Sequence, residues 1–313
     1  MRVTWWRPAW GDRHPALMMV NGATALGNDD PETTRLAEAL ARAGYLVMLP
    51  EFPFIREGTL EPRAAAIIDA AFARLLTLPD VTGMRVGAFG FSVGGGMLLA
   101  AAGKYEALAR ASYVGALGAY YDIDTYLASV VTRTQVQAGV PLAWDPDDTV
   151  RLRLPLAAAA LVSDAQDRTL LEAELRSNDG RTTSEPPIGI GTNAASLWRA
   201  LGQSDYQVAL TSLRQLPAAM REVFDELSPR ASWSGIRAPV FWLHDVGDRF
   251  EPVSEGETAA ATPHDGPTRF QRTALLSHAA ALGAGAKEKG LDFWAGELSG
   301  LLLFAASALG AGE

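Results

Sequence analysis

The chain has 313 residues, of which 48% are hydrophobic and 20% charged, with a formal net charge of −9. That length holds one large domain, or a core domain with a sizeable insertion, and the composition is that of a folded globular protein. Such acidity, with no Lys/Arg-rich run, argues against nucleic-acid binding, and the absence of cysteine excludes disulfides, thiolate metal sites and cysteine nucleophiles.

Residues 1–8 (MRVTWWRP) lack the apolar core of a secretory leader. Residues 16–21 (ALMMVN) are an apolar run that stops at Gly22, as a strand buried on both faces reads. A helix is expected over 31–43, with Leu36 and Leu40 on one face and Gly44 as its stop. A second buried strand at 45–49 is closed by Pro50 and Pro53, and a helix over 62–78 carries Pro62 in its first turn. A third strand at 84–89, a helix over 93–102 and a fourth strand at 112–119 follow. This rhythm indicates an α/β fold, a mostly parallel sheet with helices on both faces.

The rhythm breaks at Asp122. From there to about Arg230 no buried strand is legible; 156–175 and 194–224 read as helical, divided by a polar Gly/Pro loop at 178–192. Strands resume at 239–244 (PVFWLH) and 268–274, and the chain ends in a helix over 291–309. The expected organisation is a core of residues 1–121 and 237–313 with a helical insertion at 122–236. The last apolar stretch is broken by Glu297, Ser299 and Ser307 and is short for a membrane span. A cytoplasmic protein without a membrane partner is expected, and a homo-oligomer stays open.

The segment Gly90-Phe91-Ser92-Val93-Gly94 has the pattern G-x-S-x-G between an apolar strand and a helix, the context in which that pattern forms a nucleophile elbow. A serine on so sharp a turn takes strained backbone angles, and bulky neighbours two positions away would collide, which suits glycine at positions 90 and 94. The Ser92 hydroxyl then stands above the sheet edge, and the Val93 N–H, at the helix start, points to the same place as an oxyanion donor. No G-x-G-x-x-G is present, and Gly94-Gly95-Gly96 lacks the Lys-Ser/Thr of a phosphate loop.

An activated serine needs a base, and the base an orienting acid, in the chain order Ser, Asp/Glu, His. His14 precedes the serine and is out of order. Asp248 lies in the loop just past the strand 239–244, where a carboxylate reaches the site; its neighbour Asp245 sits close to the strand end and suits a turn contact. His278 follows the last strand, whereas His264 precedes it and belongs at the other end of the sheet. His244, at a strand tip before the acid, reads as a packed histidine. The candidate triad is Ser92, Asp248 and His278.

These residues resemble the α/β-hydrolase superfamily, and within it the dienelactone-hydrolase-like and prolyl-oligopeptidase-like esterases and peptidases. The resemblance covers residues 15–119 and 236–303. Its strongest carriers are Val86-Gly-Ala-Phe-Gly-Phe-Ser-Val-Gly-Gly and Ile236-Arg-Ala-Pro-Val-Phe-Trp-Leu-His-Asp-Val-Gly-Asp. The second is similar to the family segment whose last Asp is the triad acid, which again points to Asp248. The resemblance implies that Asn21-Gly22-Ala23, where the family usually has His-Gly-x, supplies the second oxyanion N–H, from Ala23 with Gly22 as the rival. It also implies that the first strands of the family's sheet are short or missing here, and that 122–236 is a cap over the serine.

Tyr120, Tyr121, Tyr126, Trp144 and Trp198 are candidates to line such a cap, with ordinary packing as the alternative for each. Arg133, Arg151 and Arg153 are candidates for a substrate carboxylate. The expected activity is hydrolysis of small to medium carboxylic esters through an acyl-enzyme, needing no metal or organic cofactor. Rival expectations are a peptidase or amidase, an acyltransferase or C–C bond hydrolase with the same triad, and a catalytically silent binding protein.

Overall fold

Apolar runs separated by helices become strands of one sheet because a parallel strand is covered on both faces. In the computed structural model, which describes residues 1–81, 83–276, 278 and 291–310, the strands are β1 (Val3–Trp6), β2 (Ala16–Val20), β3 (Leu46–Pro50), β4 (Val86–Phe91), β5 (Tyr113–Leu117), β6 (Thr134–Gln137), β7 (Val140–Ala143), β8 (Val240–Asp245) and β9 (Thr268–Thr273). Seven of them form a sheet in the order β1-β3-β2-β4-β5-β8-β9, and β6 and β7 pair as a separate hairpin. All neighbours in the large sheet are parallel except β1, which runs antiparallel to β3 in the register Val3 opposite Pro50.

Alternation along β2 feeds two cores. Ala16, Met18 and Val20 join Ile68, Phe72 and Leu98 on one face, beneath the helices Ala64–Leu76 and Ser92–Lys104. Leu17 and Met19 join Ala37 and Phe304 on the other, beneath the helices Pro31–Arg42 and Leu291–Gly310. Asp30 starts the first of these helices by accepting hydrogen bonds from the Glu32 and Thr33 N–H groups, with Pro31 behind it. Among the described residues no helix is long and apolar enough to cross a membrane.

Residues 122–236 contain the β6–β7 hairpin and helices Ile123–Thr132, Asp148–Ala159, Ala165–Ser177, Thr192–Leu201, Tyr206–Arg214 and Ala218–Leu227. The two helical stretches expected here are therefore each divided. Asp164 caps Ala165–Ser177 and Asp205 caps Tyr206–Arg214 through their carboxylates, so a new helix starts after each of these two interruptions, while after a third, at 215–217, Ala218–Leu227 starts behind Pro217. The two ends of the segment are tied together. Arg230 Nε lies 2.7 Å from the buried Asp122 Oδ2, and the Arg230 N–H donates to the Tyr121 carbonyl at 3.0 Å.

Candidate active site

Two glycines are required by the turn at the end of β4. A Cβ at Gly90 would lie 2.5 Å from Gly95 Cα, and one at Gly94 would lie 2.0 Å from the Asn21 carbonyl oxygen, so backbone meets backbone at both positions. Between them Ser92 has φ +51, the left-handed region that β-carbon residues avoid. Phe91 offers no side-chain cap to the helix Ser92–Lys104, and Ser92 and Val93 in its first turn, at the positive end of the helix dipole, line the cavity above the serine.

That cavity has a volume of about 690 Å³ and is lined by Ser92, Val93, Gly22, Ala23 and His278 among others. The strand-end loop after β2 is held against the elbow, since a Cβ on Gly22 would come within 2.9 Å of Ser92 Cβ. Asn21 fixes this loop with its own amide: Nδ2 donates to the Gly27 carbonyl at 2.9 Å, and Oδ1 accepts from Thr33 Oγ1 at 3.0 Å.

Asp248 and His278 meet at the end of β5 and β8. His278 Nδ1 lies 2.7 Å from Asp248 Oδ2, and Asp248 Oδ1 accepts from the N–H groups of Phe250 at 2.7 Å and Glu251 at 3.1 Å. Gly118 makes room for the pair: at φ +55, its missing Cβ would lie 2.9 Å from Asp248 Oδ2 and 3.0 Å from His278 Nδ1. Phe250 stacks on the imidazole at 4.6 Å between centroids, and the Trp144 indole N–H donates to the Asp248 carbonyl at 2.7 Å.

Of the other histidines, His244 lies behind the same acid, its Nε2 3.5 Å from Asp248 Oδ2, and His264 lies at the other end of the sheet. His244 is fully buried; its Nε2 donates to the Glu251 carbonyl at 3.0 Å and its Nδ1 accepts from the Trp242 indole at 3.3 Å, so burial holds its pKa below the ordinary value. His264 sits at the start of β9, with ring nitrogens 2.9 Å from the Ile236 carbonyl and 2.6 Å from Thr268 Oγ1. Asp245 accepts from the Gly247 N–H at 2.6 Å, a turn contact.

The hydroxyl of Ser92 donates to Glu251 Oε1 at 2.7 Å, and among the described residues it makes no hydrogen bond to His278. Glu251 was not among the residues singled out from the sequence. Glu251 Oε2 also lies 3.4 Å from His278 Nδ1, so imidazole and hydroxyl flank one buried carboxylate. Burial pulls His278 down, but the Asp248 and Glu251 carboxylates outweigh it and lift the imidazole to about 9. Burial pushes Asp248 up, yet the His278 charge and hydrogen bond outweigh burial and hold it below the usual carboxylate range. Glu251 is pushed up to about 8 by burial.

The ligand atoms of Asp248, Glu251 and His278 all lie within 4.8 Å of one another, a donor set of the kind divalent cations use. Two ligands of one tetrahedral ion, each bonded at about 2.1 Å, stand about 3.4 Å apart. The 2.7 Å between His278 and Asp248 is shorter, the length of a direct hydrogen bond.

Of the aromatic residues expected to line the cavity, Tyr126 does so and Tyr120, Tyr121, Trp144 and Trp198 do not. Tyr120 stacks on Tyr126 and donates to the Leu227 carbonyl at 3.0 Å; Tyr121 packs edge-on against Trp233; Trp198 donates to the Thr183 carbonyl at 3.0 Å. Large rings with a polar tip gain more from full burial with a hydrogen bond than from standing in an open cleft. Arg133 and Arg151 pair with Asp179 outside the cavity, while Arg153 lines it.

Glu255 is a second buried carboxylate. It accepts from the N–H groups of Tyr121 at 2.8 Å and Asp122 at 2.9 Å and from Thr125 Oγ1 at 2.6 Å, and burial still pushes it up to about 7. Glu251 and Glu255, near 4.5 when unfolded, hold a proton more tightly in the folded chain, and His278 does so from its unfolded 6.5. The folded state therefore binds more protons than the unfolded one from about pH 4.5 to about pH 9, and stability falls as pH rises through that window. The melting temperature is expected to decline between about pH 5 and about pH 8, less steeply in Glu255→Gln; a rising melting temperature over this range contradicts the assignment.

No family model matches the chain, and no curated protein matches it. Among solved structures, it is similar to a 2,6-dihydroxy-pseudo-oxynicotine hydrolase at 15% identity and a TM-score of 0.50, covering 88% of this chain and 58% of that one. It is also similar to an acylaminoacyl peptidase from Pyrococcus horikoshii at 12% identity and a TM-score of 0.52, covering 98% of this chain and 39% of that one. The chain thus spans less than two thirds of either neighbour. What these likenesses share is the fold: this chain has the α/β-hydrolase fold, a mostly parallel sheet clothed by helices.

Proposed function

We propose that the protein is a serine hydrolase that cleaves carboxylic esters through an acyl-enzyme on Ser92. The observation that carries this reading is Ser92 at φ +51 on a glycine-flanked elbow, opening into the same cavity as an imidazole bonded to Asp248. Ser92 Oγ attacks the carbonyl; the Val93 N–H, with that of Ala23 or Gly22, holds the oxyanion. Asp248 keeps His278 in the tautomer with Nδ1 protonated and balances its charge, leaving Nε2 to move protons among serine, leaving group and water. No step calls for a metal or organic cofactor.

Residues 122–236 act as a cap. Tyr126, Thr149, Val150, Arg153 and Leu154 of this segment line the cavity together with Leu36, Phe91 and Leu276. So apolar a wall over 690 Å³ suits a medium apolar acyl group. A panel of p-nitrophenyl esters of increasing chain length is expected to give the highest kcat/KM at medium length, and Ser92→Ala to lower every member at least about a thousandfold. Turnover of the panel undiminished in folded Ser92→Ala would point to another nucleophile. No turnover of any ester or amide by the wild type would favour a silent binding protein.

A further inference from the structure

Glu251 has a place that packing does not explain. It is fully buried, and among the described residues its Oε2 has no hydrogen-bond partner. An orphaned carboxylate oxygen costs free energy that an aliphatic side chain would avoid, and such costs are retained where a charge has work to do. Its backbone is anchored on both sides, by N–H to Asp248 Oδ1 at 3.1 Å and by the carbonyl to His244 Nε2 at 3.0 Å. The carboxylate is thereby held with one oxygen on the Ser92 hydroxyl and the other beside the imidazole. The titratable groups facing it are Asp248, His278, Glu255, Tyr120 and Tyr126, and among the described residues no Lys or Arg pairs with it.

We propose that Glu251 is a fourth catalytic residue, the base that takes the proton of Ser92, while His278 as imidazolium is the acid toward the leaving group. This rests on the serine-hydrolase reading and divides the proton traffic which that reading gives to His278 alone. In acylation the Oγ–H bond breaks as Oγ bonds the carbonyl carbon; the proton goes to Glu251 Oε1 and the carbonyl electron pair to oxygen. When the intermediate collapses, the bond to the leaving oxygen breaks and that oxygen takes the proton of His278 Nε2. In deacylation water bonds the acyl carbon and gives its proton to the now neutral His278, and Ser92 Oγ departs with the proton held on Glu251. One ester and one water become one acid and one alcohol, and both groups return to their starting states. Burial brings Glu251 to about 8 and the neighbouring carboxylates bring His278 to about 9, so a carboxylate at Glu251 beside an imidazolium at His278 prevails between about pH 8 and about pH 9, where the base and the acid are both in the form the reaction needs.

The test is kcat/KM for a p-nitrophenyl ester, whose leaving group needs no acid, at fixed ionic strength in wild type, Glu251→Gln, Glu251→Ala and Ser92→Ala, each checked for folding by melting. Glu251→Gln is expected to lose about a hundredfold or more. Formate is expected to restore Glu251→Ala at least about tenfold, and chloride to restore nothing, because only a small carboxylate replaces the missing acceptor. A folded Glu251→Gln within about threefold of wild type overturns the proposal, as does a folded Glu251→Ala that formate leaves unchanged; should Gln fail to fold, the Ala variant decides. If Ser92→Ala stays active, the serine reading itself fails. If Ser92→Ala is dead and Glu251→Gln intact, only the division of labour fails and His278 serves both steps.

Discussion

His278→Ala is expected to lower turnover of an unactivated alkyl ester at least about a thousandfold, while His264→Ala changes it by less than about threefold. The contrast follows from where the rings are. His278 lines the cavity that holds Ser92, is bonded to Asp248 at 2.7 Å and is stacked on Phe250. On the proposed mechanism its loss removes both the proton donor to an alkoxide leaving group and the cation that balances the developing oxyanion. His264 spends its nitrogens on the Ile236 carbonyl and Thr268 Oγ1 at the start of β9, the end of the sheet away from the elbow. Groups that act as a unit are not additive, so Ser92→Ala with His278→Ala is expected to fall no further than Ser92→Ala alone. Steady-state kinetics on wild type and the four variants checks this; equal losses from His264→Ala and His278→Ala would contradict the role given to His278.

The second large effect is expected from Gly94→Ala. The added Cβ would lie 2.0 Å from the Asn21 carbonyl oxygen and 3.0 Å from the Val20 side chain. The first of these is backbone, so no rotamer change relieves the clash; either the elbow or the loop after β2 must move. Overpacking of this kind costs about 3 kcal/mol, and a shift of about 1 Å in Ala23 relative to Ser92 lowers kcat/KM about a hundredfold. Thermal melts together with ester kinetics are expected to show both losses. As a control, Gly296→Ala adds a Cβ with nothing within 4 Å among the described residues, on the last helix, where alanine favours the helix by about 1 kcal/mol.

Much of this fold is legible in the chain for a single physical reason. Strands clothed on both faces are largely apolar, so β2 (ALMMV), β3 (LVMLP) and β5 (YVGAL) stand out as unbroken apolar runs. The elbow is legible because the close approach at Gly90 and Gly94 excludes every side chain. The edge strand β1 is not, being four half-buried residues with no alternation to read. Nor is the β6–β7 hairpin, where Val140–Ala143 is exposed and contains Pro141. Glu251 escapes for a different reason. It stands three residues after Asp248 in an ordinary turn, and its bond to Ser92 spans 159 positions; only the packed sheet brings the two together. Gly118 likewise looks like any loop glycine until Asp248 and His278 fill the space its Cβ would take.

The aromatic residues of the insertion teach the opposite lesson. Tyr120, Tyr121 and Trp144 cluster near or within the segment expected to cover the serine, yet each is buried with a hydrogen bond or ring partner away from the cavity. Trp144 still serves the site, since its indole fixes the Asp248 carbonyl. Residue type alone does not separate a cavity wall from the layer behind it.

On the proposed mechanism the oxygen at position 92 becomes covalently bonded during the reaction. A fluorophosphonate probe, followed by digestion and peptide mass mapping, addresses it directly. The expected result is a single phosphonyl adduct on Ser92 in the wild type and none in Ser92→Ala; a folded wild type that hydrolyses esters while this residue stays unlabelled, or an adduct mapping elsewhere, contradicts it.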